Sequence, residues 1–541
     1  TEATVPQILF GALPARGVFP IHLNDDYALG TSIQWEALGR LSYGVPEQVG
    51  VSREQLLSGL DDIINDGLNK RAFPGCVLQV AKDGKVIMQK AYGFHTYDVQ
   101  YMDIVIDNPE KKYRFIDDAM DNPLNVTTTF SLSPKTPIPG KVYTEHTYDL
   151  ASLTKVLGAT LAGLHWLDEG KIKMGHKLSD FIPEWKGTNK ENITFIDAVT
   201  HRSGLQAWIP FWKNAIDTAA TLNKALQLQP SLKKELVYTT TKPRFFKRLF
   251  GAQPTTSLDL MRTWKEKPQL WDKVLTPQTK TWKARTFSNT PTAEFNIAVA
   301  ENLWIHRQYV DTLYNQINTS PMGPHGQYVY SDLHYYLYPQ LSEKLVNTSF
   351  DSYLNKIYTQ LGANSLTFNP YTHSDKSSIV PTEYDSLFRG QLLHGYVHDE
   401  GASMLGGVSG HAGLFGNAND VMKVMQMYLQ KGYYGGHQYI SSQWIDKATE
   451  YQFPSENNRR GIGFDKKDFN NNINNGPSLS SDSSYGHSGF TGTYTWVDPE
   501  HNLVYVFLSN RVFPSRENRI IIQESIRPKI GDFIISTLSI K

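Results

Sequence analysis

The stretch "YDLASLTKVLGATLAGLHWLDEG", residues 148 to 170, decides the reading of this chain. After Lys155 the residues at 156, 157, 159, 161, 162 and 164 are apolar or small, which predicts a buried helix. Ser152 and Lys155 stand three apart at its start, so they share a face and the lysine leans back toward the serine. A serine hydroxyl is a weak nucleophile until a base takes its proton, and a lysine can do this where desolvation or a nearby cation holds it neutral. A lysine in the first turn of a buried helix is hard to solvate, and the helix N-terminus offers free backbone N–H groups to a developing oxyanion. The spacing alone is not decisive. Ser231-Leu232-Lys233-Lys234 matches it equally well among polar and charged residues that read as an exposed segment.

At 541 residues the chain exceeds the usual single-domain size, so two domains or one large domain with insertions is expected. The 53 basic and 53 acidic residues cancel, and nothing points to nucleic acid. The longest apolar run, within 156 to 167, is roughly a dozen residues against the ~20 that span a bilayer. The single cysteine, Cys76, excludes an intrachain disulfide and leaves the redox compartment open. Because the chain begins at Thr1, a signal peptide or an upstream domain removed from it is compatible with the sequence.

Residues 1 to 50 are rich in Gly and Pro without sustained periodicity and read as a linker or extension. "SREQLLSGLDDIINDGLNK" then predicts an amphipathic helix with Ser52 as N-cap and apolar residues at 56, 57, 60, 63 and 64. Asp83-Gly84, between two β-rich runs, predicts a hairpin. A second hairpin is expected around Asp498 to Asn502, and "NRIIIQESIRPKIGDFIISTL" closes the chain as a helix. Residues 97 to 146 read as a polar insertion, 206 to 326 as a mostly helical block with little strand character, and 470 to 484 as a solvated loop. The expected fold class is α+β, an α/β sandwich. An antiparallel sheet, from about 51–150 and 395–541, is flanked by terminal helices, with a helical part over about 151–394 that holds the insertion 206–326.

Three motifs resemble the serine β-lactamase and penicillin-binding-protein superfamily, in its class C-like branch of DD-carboxypeptidases, D-aminopeptidases and esterases. The likeness spans about residues 47 to 541. Ser152-Leu153-Thr154-Lys155 is similar to the family's nucleophile motif. For its Tyr-x-Asn element two segments compete. Tyr353-Leu354-Asn355 matches literally but lies in an amphipathic helix, where a tyrosine packs. Tyr330-Ser331-Asp332 follows Gly323 and Gly326 and precedes "LHYYLYPQL", a loop-then-helix setting that makes it the better match. In "YGHSGFTGTYTWVDPE", His487-Ser488-Gly489 holds the place of the Lys-Thr-Gly strand, and a side chain at Gly489 would block substrate from lying along it. "GGVSGHAGLFGNANDVMKVMQMYL" resembles the branch's glycine-rich turn and helix, with His411 read as structural. Arg511 is open between facing a substrate anion and a structural ion pair. Residues 1–50 resemble the tail of bacterial β-N-acetylglucosaminidases that run on into such a domain.

The resemblance implies acyl transfer by Ser152, with Lys155 and Tyr330 sharing the base role. It also implies an oxyanion site of Ser152 and Phe490 N–H groups, substrate contacts from Asp332, His487, Ser488 and Gly489, and no metal or organic cofactor. The substrate it implies is a small molecule or peptide, such as a muropeptide, outside the cytoplasm, with a fused upstream glycosidase as a partner domain and no membrane span. In the lactamases and carboxypeptidases a strand lysine attracts the substrate carboxylate. His487 is mostly neutral near pH 7 and offers a weaker, pH-dependent charge, which favours a peptidase, amidase or esterase over an efficient β-lactamase. A non-catalytic peptidoglycan-binding module on the same scaffold is the rival.

Overall fold

The computed structural model describes residues 4–32, 34–97, 140–232, 273–469 and 475–538, and the backbone of three short strands within 99–130. The insertion 97–146 and the loop 470–484 fall partly outside the described residues, as do 233–272 of the block 206–326.

Seven strands form the central sheet: β1 (Ser42–Tyr43), β2 (Gly75–Lys82), β3 (Lys85–Gly93), β4 (Asp465–Lys466), β5 (Tyr485–Ser488), β6 (Tyr494–Asp498) and β7 (Leu503–Ser509). Their spatial order is β1-β3-β2-β7-β6-β5-β4, so the two ends of the chain meet at the β2–β7 pair. All neighbours are antiparallel except β1, which joins β3 in parallel. Both expected hairpins are present. Asp83 and Gly84 take φ of 53° and 69°, the paired left-handed values of a tight two-residue turn that matches strand twist.

Four helices bear on the site: α1 (Arg53–Asn69), α2 (Thr160–Asp168), α3 (Ala418–Leu429) and α4 (Ile526–Leu538). Ser52 caps α1 as its sequence predicts, accepting from the Gln55 N–H. Alternation along β7 divides two cores. Leu503, Tyr505 and Phe507 pack with Leu56, Leu60 and Ile64 of α1 and Ile530 and Ile534 of α4. Val504, Val506 and Leu508 face the larger core, shared with α2 and α3. The closing segment is two helices, because Ser525 adopts φ 52° and breaks the run between Ile520–Gln523 and α4. Within 206 to 326, the described residues hold three helices and also a three-stranded sheet of Phe287–Ser288, Leu303–Ile305 and Ile297–Ala300, which the aromatic-rich pattern did not announce.

The helix after Ser152 is buried throughout its apolar positions, with Leu161, Ala162, Leu164 and Trp166 wholly inaccessible. Its first turn, Lys155–Ala159, is a π-turn rather than α-helix. Widened turns of this kind leave carbonyls to be satisfied from outside. Here the Tyr428 and Tyr358 hydroxyls donate to the carbonyls of Val156 and Leu157, each at 2.9 Å. No helix among the described residues is long and apolar enough to cross a membrane.

Candidate active site

Ser152 sits in the turn that enters the π-turn, and two devices set that turn. Asp149 accepts from the Ala151 N–H at 2.8 Å and from the His398 N–H at 2.6 Å. Ala151 is thereby held at φ 46°, a left-handed value costly for a residue with a side chain. From the other side, the hydroxyls of Thr491 and Thr493 donate to the carbonyls of Asp149 and Leu150 at 2.8 and 3.0 Å. The turn after β5 is thus tied to the Ser152 turn across more than three hundred residues of sequence.

Lys155 is wholly buried. Its Nζ lies 2.9 Å from Ser152 Oγ, 2.7 Å from Asp332 Oδ1 and 3.3 Å from the carbonyl oxygen of His411. The Tyr330 hydroxyl stands 3.2 Å from Ser152 Oγ. A cleft of about 480 Å³ opens on this group and is also lined by His487, Ser488, Gly489 and Phe490. Neither the Ser152 nor the Phe490 backbone N–H has an acceptor among the described residues, so both are free to serve an oxyanion.

The chain matches the family described as Beta-lactamase over residues 60–242 and 277–524. It belongs to that family. With it, the chain is a serine hydrolase on an α+β fold. A relative from Salmonella enteritidis PT4 (strain P125109), named "Putative D-alanyl-D-alanine carboxypeptidase", is 25% identical over 493 residues, covering 87% of this chain and 86% of the relative. One of the same name from Escherichia coli O157:H7 is 35% identical over 204 residues, 35% of this chain and 46% of that protein. Among solved structures, EstCE1, "a hydrolase with promiscuous acyltransferase activity", superimposes with TM-score 0.51 at 11% identity over 90% of this chain and 98% of that one. A mutant simvastatin synthase from Aspergillus terreus gives TM-score 0.51 at 13% identity over the same shares. Both show likeness of fold.

The competing motifs separate within this Beta-lactamase-family fold. Tyr353 lies on the helix Phe350–Leu361, bonded to His165 and packed against Trp166, away from Ser152. Ser231 is exposed, and Lys233 and Lys234 lie outside the described residues. His411 is structural: its ring bridges Asp399 and Ser409, both at 2.9 Å, while its carbonyl holds Lys155. Arg511 makes no ion pair among the described residues; its guanidinium donates to the carbonyls of Phe490, Arg516 and Asn518.

Two expectations need correction. Burial does depress Lys155, but the Asp332 carboxylate and Tyr330 outweigh it and hold the ammonium above its ordinary range. Lys155 is a cation at neutral pH, not a base kept neutral by its surroundings. His487 carries no pH-dependent charge near neutrality. Burial, with Arg460 and Lys155 close by, pushes its pKa down to about 3. Its Nδ1 faces the Ser488 carbonyl at 2.8 Å, so that nitrogen bears the proton and Nε2 is a bare acceptor. Gly489 is required by the protein itself, whatever substrate lies along the strand. A Cβ there would lie 2.8 Å from the Leu150 carbonyl oxygen and would collide with Thr493 Oγ1. Gly489→Ala is therefore expected to cost about 1–3 kcal/mol in denaturant unfolding and to displace the Ser152 turn. A variant of unchanged stability and activity would contradict this.

Sequence reasoning missed Asp149, Thr491, Thr493 and Arg460. Arg460 lies 5.1 Å from the centre of the Tyr330 ring, and Lys155 lies 5.0 Å from it. Burial raises the Tyr330 phenol more than these cations lower it, so the hydroxyl keeps its proton at neutral pH. The signals for the others were faint: an aspartate three residues before the serine, and threonines flanking Gly492.

The buried imidazoles also set acid stability. His201, His334 and His487 are all held below their ordinary pKa by burial. In that case the unfolded chain binds more protons below about pH 6.5, and their stabilisation is complete above that value and lost progressively as pH falls, for His487 toward about 3. Thermal unfolding is expected at progressively lower temperature from pH 6.5 to 4.5. Each imidazole contributes up to about 1.4 kcal/mol per pH unit. A flat profile in this window would show that the three rings are solvated.

Proposed function

We propose that this serine hydrolase cleaves peptides beside D-amino acids in cell-wall material, through an acyl-enzyme on Ser152. The observation that carries this reading is the convergence of Lys155 Nζ and the Tyr330 hydroxyl on Ser152 Oγ, at 2.9 and 3.2 Å. The name of the full-length relatives supports the D-alanyl-D-alanine class of substrate. We read residues 51–541 as the hydrolase and 1–50 as an extension, with an exported, periplasmic setting that suits such a substrate. The upstream glycosidase partner rests on the likeness of residues 1–50 alone.

In this reading the base role belongs to Tyr330 rather than to both residues. Ser152 Oγ attacks the scissile carbonyl carbon as its proton passes to the Tyr330 oxygen, while the Tyr330 proton moves to the leaving nitrogen. The C–N bond then breaks with Tyr330 still neutral. Water reverses the relay, giving one proton to Tyr330 as Tyr330 returns one to Oγ. The cationic Lys155, anchored by Asp332, stabilises negative charge on both oxygens, and the Ser152 and Phe490 N–H groups receive the oxyanion. Asp332, paired with Lys155, accepts rather than donates hydrogen bonds, so recognition of the substrate amide falls to the β5 edge.

Incubation with benzylpenicillin or a fluorophosphonate, followed by intact-mass and peptide mapping, tests the reading. The expected adduct is on Ser152, with D-alanine released from diacetyl-L-Lys-D-Ala-D-Ala. An adduct on another serine, or none, together with no turnover, would support a binding module instead. Rapid nitrocefin hydrolysis without peptide cleavage would move the substrate class to β-lactams.

A further inference from the structure

The lining of the cleft is rich in arginine. Six guanidiniums line it, those of Arg459, Arg460, Arg511, Arg516, Arg519 and Arg527, against one lining carboxylate, Asp465. Three of the six are compensated. Arg459 and Arg460 share Asp465 at 2.8 and 3.7 Å, and Arg516 bridges Glu383 and Glu400 at 2.7 and 2.6 Å. Among the described residues the other three, Arg511, Arg519 and Arg527, have no carboxylate in bridging range.

Two of the three are fixed beside the reaction centre. Arg511 Nε donates to the Phe490 carbonyl at 2.7 Å, and Arg527 Nη1 donates to the carbonyls of Gly489 and Thr493 at 3.2 and 3.3 Å. They hang from adjacent peptide units of the turn that also presents the Phe490 N–H. Arg511 is buried and Arg519 is exposed at the rim. Burial and then the neighbouring Arg527 and Arg519 pull the Arg511 pKa down to about 10, and the Glu383 carboxylate offsets this only in part. A chain with no net charge has little reason to gather uncompensated cations in its reactive cleft unless a ligand completes them.

We propose that Arg511, Arg519 and Arg527 form an anion-binding subsite beside Ser152 that selects ligands carrying two or more carboxylates. The proposal rests on the preceding reading of Ser152 and names the class of substrate that it takes. One carboxylate would satisfy one guanidinium and leave two uncompensated. The three side chains come from separate segments, the turn after β7, the turn before Ile520 and the first turn of α4. This arrangement suits separated acidic groups on one acidic peptide or acyl chain better than the clustered oxygens of a phosphate.

The test is competitive inhibition of 4-nitrophenyl acetate hydrolysis at fixed ionic strength by acetate, succinate, tricarballylate and inorganic phosphate. The expected result is at least a tenfold tightening from acetate to tricarballylate. Arg519→Gln and Arg527→Gln should each weaken tricarballylate at least fivefold, Arg527→Lys should restore part of the loss, and Arg16→Gln, far from the cleft, should not matter. No trend with carboxylate number, or no response to the two glutamine variants, would overturn the subsite. Phosphate equal to or better than tricarballylate would overturn its carboxylate class. Calorimetric titration of tricarballylate into Ser152→Ala reports binding without chemistry, so failure of the ester assay sinks the reading of Ser152 while the titration still decides the subsite.

Discussion

Ser152→Ala is expected to lower kcat on ester and D-alanyl-D-alanine substrates by on the order of 10^4-fold or more, with thermal unfolding nearly unchanged. The hydroxyl contacts only Lys155 Nζ and the Tyr330 hydroxyl among the described side chains, so its removal leaves a small space beside the cleft rather than a buried cavity. The loss should appear in kcat with little change in ligand affinity, because the interaction is made with the reacting carbon. Pre-steady-state kinetics should also lose any burst of released product. A Ser152→Ala protein that still turned over ester at the parental rate would place the nucleophile elsewhere.

Lys155→Met carries the second large effect, on stability and rate together. It removes the cation that pairs with Asp332 at 2.7 Å and leaves that carboxylate, whose side chain is 19% exposed, against a wholly buried neighbour. Breaking a buried pair from one side costs about 3–5 kcal/mol, and the partial exposure of Asp332 places this case near about 3 kcal/mol. Adding Asp332→Asn to Lys155→Met should recover more than half of the loss in urea unfolding, since no unpaired charge remains. Activity should not recover. The rate of acylation should stay down by roughly 10^3-fold in both proteins, because the charge that stabilises the serine oxygen is gone in each. If the double variant were no more stable than the single one, the cost would lie in packing of the lysine stem rather than in the orphaned carboxylate.

These two expectations depend on facts of different origin. The sheet was legible because its signals are local. Asp83-Gly84 specifies a left-handed turn, alternation along 503 to 509 specifies two faces, and Ser52 specifies where α1 begins. Ser152 and Lys155 were legible for the same reason, since helix geometry puts residues three apart on one face. The choice of Tyr330 over Tyr353 also followed from local pattern, a loop before an apolar run against an amphipathic helix. The three-stranded sheet within 287 to 305 was not legible, because strands of two to four residues are too short to show a period.

What the sequence by itself determined was the scaffold and the candidates for the reacting groups. Only the tertiary structure decided their states. The charge of Lys155 follows from Asp332, brought within 2.7 Å across 177 positions, and no local pattern encodes that distance. The neutrality of His487 follows from burial next to Arg460 and Lys155, and the need for glycine at 489 from the approach of the Leu150 carbonyl. The gathering of Arg511, Arg519 and Arg527 in one cleft is likewise a product of folding, since each looks like an ordinary solvated charge in its own segment. Electrostatic energy depends on separation and on exclusion of water, and both are properties of the folded molecule rather than of the order of its residues.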